Sequence, residues 1–177
     1  MSEIELEKRL RIGTIQSGLR RAYNRLESDI NRTKNDEQFN QKVFDVNASI
    51  CELLFWVNAN DEWQCKNNET SYLRKKQPKK DGAGELYGLK HAYNASKHNM
   101  SYVNLFSFEG TNDFIKGSNL KIKDPSTPAI WVNCPDDEEH INQVLNYRKY
   151  LKGKNVLTTF NKAITFLNKM NNQVIFR

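Results

Sequence analysis

No apolar run in this 177-residue chain approaches the roughly 20 residues that a membrane-spanning helix needs. Cysteine is scarce. Cys51, Cys65 and Cys134 are odd in number and form no C-x-x-C pair, which argues against a disulfide framework and against a zinc motif. Cys51 reads as a buried helical residue, the usual fate of a free thiol. There is no glycine-rich phosphate loop, no G-x-S-x-G and no paired-carboxylate motif, so a small-molecule enzyme of those kinds lacks support and no cofactor or metal is expected. No internal repeat and no low-complexity segment occurs. The start, MSEIELEKRL, is charged and amphipathic rather than a signal peptide, and a cytoplasmic address is the default expectation.

What is present suits a folded helical protein. Hydrophobic residues make up 38% of the chain and charged residues 27%, enough apolar material for a packed core. The length suits one domain over residues 1–177. A net charge of +6 and a pI of 9.2 permit nucleic-acid binding without requiring it.

Over residues 3–31, Ile12, Ile15, Leu19, Ala22, Leu26 and Ile30 step by three or four and define one apolar helical stripe. Gly13 and Gly18 each weaken that helix by about 1 kcal/mol relative to alanine, so the helix packs closely or bends there. A polar turn leads to a second helix over 36–60, with Phe39, Val43, Val46, Ile50, Leu53, Leu54 and Val57 in line and Phe44, Phe55 and Trp56 widening the stripe. The short link favours an antiparallel hairpin. From 60 to 84 the periodicity dissolves into a loop. Its basic part, within 66–82, holds Arg74, Lys75, Lys76, Lys79 and Lys80, five basic residues in seven. Such a run is a solvated loop or an electrostatic footprint for phosphate backbones, and Tyr72 beside it offers a ring for base stacking.

Residues 84–99, GELYGLKHAYNASKHN, form a third helix. Tyr87, His91, Asn94 and His98 fall on one line at helical spacing, while Leu86, Leu89 and Tyr93 lie elsewhere. Residues 100–133 alternate and are punctuated by turns, which reads as a small antiparallel β excursion, with helical continuation as the competitor for its first part. A helical hairpin over 134–177 closes the chain. Asp136 and Glu139 match a capping box, Ile141, Val144, Leu145 and Leu151 face inward, Gly153 ends the first helix, and the second runs over 155–168. The expected fold is therefore mainly α, an antiparallel bundle of about five helices with a β insertion near 100–133.

Histidine titrates near neutrality and can exchange a proton at working pH. His91 and His98 are two helical turns, about 10 Å, apart, too far for one metal ion without further ligands. Lys90, Asn94 and Lys97 stand beside them and supply charge and hydrogen bonds, and the basic run precedes them directly. This combination points to RNA chemistry or RNA recognition.

A helical bundle whose third helix carries a short polar motif ending in histidine resembles HEPN domains, which are α-helical, usually dimeric and RNA-associated, and occur in toxin, antiphage and CRISPR systems. The resemblance covers residues 3–99. Catalytic members place an arginine with four to six residues between it and the histidine, and cleave RNA without metal where two protomers meet. The matching histidine here is His98. The allowed arginine positions are Tyr93, Ala92 and His91, and none is arginine. The resemblance thus implies a cytoplasmic homodimer in bacterial defence or on a mobile element, binding RNA or a partner through the His91/His98 helix and the 74–80 run. Two alternatives stand beside it. One is a non-enzymatic protein-interaction module, such as a phage or plasmid regulator. The other is a metal-independent endoribonuclease with His98 and His91 as its catalytic pair.

Overall fold

A computed structural model describes residues 2–34, 39–98, 106–108, 128–132 and 139–175. Among these the order is α1 (Glu3–Lys34), α2 (Phe39–Asn67), α3 (Glu69–Lys75), α4 (Ala83–His98), β1 (Phe106–Phe108), β2 (Ala129–Trp131), α5 (Ile141–Tyr150) and α6 (Val156–Ile175). The fold is mainly α with one small antiparallel sheet, as the periodicities indicate.

The α1 stripe, Ile12, Ile15, Leu19, Ala22, Leu26 and Ile30, is buried throughout. It packs on α2 through Val43, Val46, Ile50, Leu53, Leu54 and Val57, also buried. The two helices run antiparallel: Gly18 meets Trp56 midway along the pair, while Ser49 Oγ, earlier on α2, donates to Asp29 Oδ2, later on α1, at 2.5 Å. A Cβ on Gly18 would collide with the Trp56 ring, so close packing explains that glycine. Gly13 has nothing within 4 Å of the same position.

Several expectations need correction. The pattern does not dissolve at Asn60. The second helix continues to Asn67, and α3 follows after one residue. Phe44 and Phe55 do not widen the core stripe but stand exposed, with Trp56 half-buried. Cys51 is exposed rather than buried. The helix expected after Pro135 begins only at Ile141, with His140 at its N-cap and no side-chain cap bond. Glu139 therefore lies in the turn before the helix, and Asp136 lies outside the described residues. Ile141 and Leu145 face outward, whereas Val144 and Leu151 are buried. The last helix extends well beyond Asn168, to Ile175.

Of the β excursion, β1 and β2 are described, and they pair antiparallel with Phe106 opposite Trp131 and Phe108 opposite Ala129. Phe106, Phe108 and Trp131 are buried in the apolar cluster that the helices share. Trp131 Nε1 donates to Thr159 Oγ1 at 2.7 Å, and the Tyr147 hydroxyl donates to the Val132 carbonyl at 2.7 Å. The sheet is thereby fastened to α5 and α6. The rest of the stretch expected to form strands lies outside the described residues.

Candidate nucleic-acid interface

The helix α4 is held at its start by local chemistry. Gly82 adopts φ +82°, a left-handed turn that admits glycine most readily, and its N–H donates to Glu85 Oε2 at 3.1 Å. Lys162 from α6 lies 3.1 Å from Asp81 Oδ1 and 3.8 Å from Glu85 Oε1. The Asp81 hydrogen bond raises the Lys162 pKa above its ordinary value.

Two members of the polar line on α4, His91 and Asn94, meet the neighbouring helix α5. Gly84 and Gly88 bring α5 close: a Cβ on Gly84 would sit 2.6 Å from the Tyr150 ring, and one on Gly88 2.7 Å from Leu151 Cγ. With Ala92 they make a small-residue row at steps of four, a signal that reading the helix for its polar residues overlooks. Asn94 Nδ2 donates to Gln143 Oε1 of α5 at 2.9 Å. His91 is 3% exposed, and its ring meets Tyr147 edge-on at 5.7 Å. This corrects the expectation for His91: a residue packed there does not reach a phosphate in solution. The side chain of His98, which closes α4, lies outside the described residues. Lys90 and Lys97 are exposed.

The basic run divides. Arg74, Lys79 and Lys80 are exposed, and Lys75 is half-buried. Lys76 turns inward and is 6% exposed. Its Nζ donates to both Asp61 oxygens, at 2.6 and 2.7 Å, and sits 4.9 Å from the Tyr87 ring centroid and 5.7 Å from that of Tyr72. The Tyr72 hydroxyl donates to the same carboxylate. Burial first, then Asp61, push the Tyr72 phenol far above its ordinary value. Lys76 as a phosphate ligand and Tyr72 as a stacking ring are thus both corrected, since each is spent on a buried cluster. That cluster does position the interface. It ties the centre of the basic run to α2, and Tyr87 adds a bond to the Lys76 carbonyl at 3.0 Å.

A second basic segment lies against the first. Arg148, Lys149, Lys152 and Lys154 are all exposed in the run RKYLKGK. Within it Tyr150 packs on Gly84, and the same point on Gly84 is 3.1 Å from the Pro78 carbonyl of the first run. Lys149 and Lys154 place their Nζ atoms 5.1 and 5.7 Å from the Tyr150 ring centroid. The turn is fixed by Gly153 at φ +73° and by bonds between Trp131 and the 153–154 backbone at 2.8 and 3.0 Å. Two segments about seventy residues apart thus form one cationic patch around a half-buried tyrosine. The density of basic residues at 148–154 was the available signal.

Among the described residues no group of three or more histidine, cysteine or acidic side chains is placed to hold a metal ion. Among the described residues no helix is long and apolar enough to cross a membrane. No protein-family model, no curated protein and no solved structure matches the chain.

Proposed function

We propose that this chain is a HEPN-like, RNA-associated helical protein that binds the RNA backbone through the patch formed by Arg74, Lys79, Lys80, Arg148, Lys149, Lys152 and Lys154. The reading rests above all on one observation, the packing of Tyr150 on Gly84 beside Pro78, which joins the two basic segments. Lysine and arginine there neutralise phosphates and release counterions, which gives affinity without base specificity. Recognition is favoured over cleavage, because His91 is packed against Tyr147 and no arginine precedes His98 at the spacing of catalytic HEPN motifs. The test is incubation of the purified protein with labelled RNA in EDTA. Retarded but intact RNA is the expected result. Cleavage that disappears in His98→Ala would replace this reading with the ribonuclease one.

A second reading, a protein-interaction module, is favoured by Ile141 and Leu145, 61% and 53% exposed and one turn apart on α5. In that case RNA binding is absent at low salt, and Ile141→Ser with Leu145→Ser abolishes capture of the partner.

A further inference from the structure

The first turns of α1 hold apolar side chains that the fold leaves in water. Every residue from 2 to 11 is exposed, and Ile4, Leu6 and Leu10 are 66%, 44% and 63% exposed. Polar side chains are well solvated in such a place. Large apolar ones cost free energy there, and their grouping marks a contact surface. The helix reaches past its neighbour here, because Arg11 shares a groove with Asn67, where α2 ends.

That groove, between α1 and α2, is itself apolar and encloses about 620 Å³. Ile15, Phe55, Trp56, Ala59 and Trp63 line it. Phe55 is 48% exposed and meets Trp56 edge-on at 5.1 Å, so part of an aromatic wall faces solvent. Steps of four carry Leu6 and Leu10 to Thr14, which also lines the groove, and Ile4 lies about three turns before Ile15 on the same face. Projecting end and groove are thus parts of one strip.

Charge chooses the occupant. The end is acidic, with Glu3, Glu5 and Glu7 and no base before Lys8, which disfavours RNA and anionic membranes. Glu5 pairs with Arg9 of its own helix at 3.6 Å, and Glu3 and Glu7 are the ones that reach a neighbour. The groove is rimmed by exposed Arg11 and Lys66, while its one acid, Glu62, accepts a hydrogen bond from Asn58 Nδ2 at 2.9 Å. The end therefore matches the groove in both apolarity and charge. It cannot enter its own, because α1 is one unbroken helix that fixes residue 4 about 16 Å along the axis from residue 15. We propose that it enters the groove of a second copy, in a twofold dimer with the end of each copy in the groove of the other. With position 4 of one copy level with position 15 of the other, position 7 comes level with position 12, which sets Glu7 beside Arg11, and every contact is made twice. The surface includes no residue of the basic patch or of α4, so this inference goes beyond the proposed function and does not depend on it.

Sedimentation velocity on the full, untagged chain at about 1–100 µM tests it, the range in which an interface of modest size associates. A dimer is expected. Ile4→Ser/Leu10→Ser and, separately, Phe55→Ser, all at exposed positions, should each raise the dimer dissociation constant at least about tenfold with the circular dichroism spectrum unchanged, since each side chain is lost twice. Arg11→Glu/Lys66→Glu should also weaken the dimer. Glu3→Lys/Glu7→Lys added to it should restore association, a rescue that mere damage to the fold would not show. A chain that stays monomeric at the highest concentration overturns the proposal. So does a dimer that both apolar variants leave intact, or a charge swap that restores nothing. A dimer broken by Ile141→Ser/Leu145→Ser but not by the α1 changes would place the contact on α5 and overturn it as well.

Discussion

Lys76 is one of five basic residues in a run of seven, and it is the one that turns inward. Composition marks the run but not the inward residue, because the partner, Asp61, lies on α2 fifteen positions upstream. The same limit applies to Tyr72, whose ring the folded chain buries completely. A buried ion pair costs desolvation, and removing one partner leaves an uncompensated charge. Lys76→Met should therefore destabilise the protein by about 3–5 kcal/mol in urea denaturation, and Asp61→Leu together with Tyr72→Phe added to it, which removes the other donor to that carboxylate, should recover most of the loss. Loss of less than about 1 kcal/mol in the single variant would mean that the pair is not buried in solution. The Tyr72 phenol, raised above 10.0 in the folded chain, stays protonated where the unfolded chain has begun to ionise. The native state then binds more protons, so its contribution to stability is complete below pH 10 and falls as pH rises beyond it. Tyr72→Phe should make that alkaline fall shallower. Tyr23 and Tyr87, also raised, retain part of it.

At the scale of elements, helices were legible wherever apolar residues recur at three and four, because that spacing is what a helix needs to bury one face. The α1 stripe is buried as expected. The end of α2 and the short α3 were not legible, since 60–75 is mostly polar and its buried members include Asn60, Asp61, Gln64 and Tyr72 beside the single apolar Trp63. The row Tyr87, His91, Asn94 was legible as a line, but nothing local says that α5 packs on His91 and Asn94. Glycine decides that contact. Gly88→Ala should cost about 1–3 kcal/mol despite a better helix propensity, because Leu151 leaves no room for a Cβ. Gly13→Ala, at a helical site with open space, should stabilise by up to about 1 kcal/mol. Thermal denaturation of the two variants checks both signs. A stabilising Gly88→Ala would show that α4 and α5 are further apart than described.

For the whole molecule, a net charge of +6 is modest, and its distribution carries more information than its size. The mainly helical architecture with a small sheet was legible from periodicity. The candidate site was half legible, since the 74–80 run stands out, whereas its joining to 148–154 depends on a tertiary contact at Gly84. The central claim is that these two segments act as one RNA-binding surface. Its most direct test is the salt dependence of binding to a single-stranded RNA, measured by fluorescence anisotropy. The parent would be compared with Lys79→Glu/Lys80→Glu, with Lys149→Glu/Lys154→Glu and with the four changes together. Each pair should weaken binding and make the slope of log K against log salt shallower by about 1.4, the value for two lost phosphate contacts on a single strand. A parent affinity that does not respond to salt, or an unchanged slope in the Lys149→Glu/Lys154→Glu protein, would contradict it.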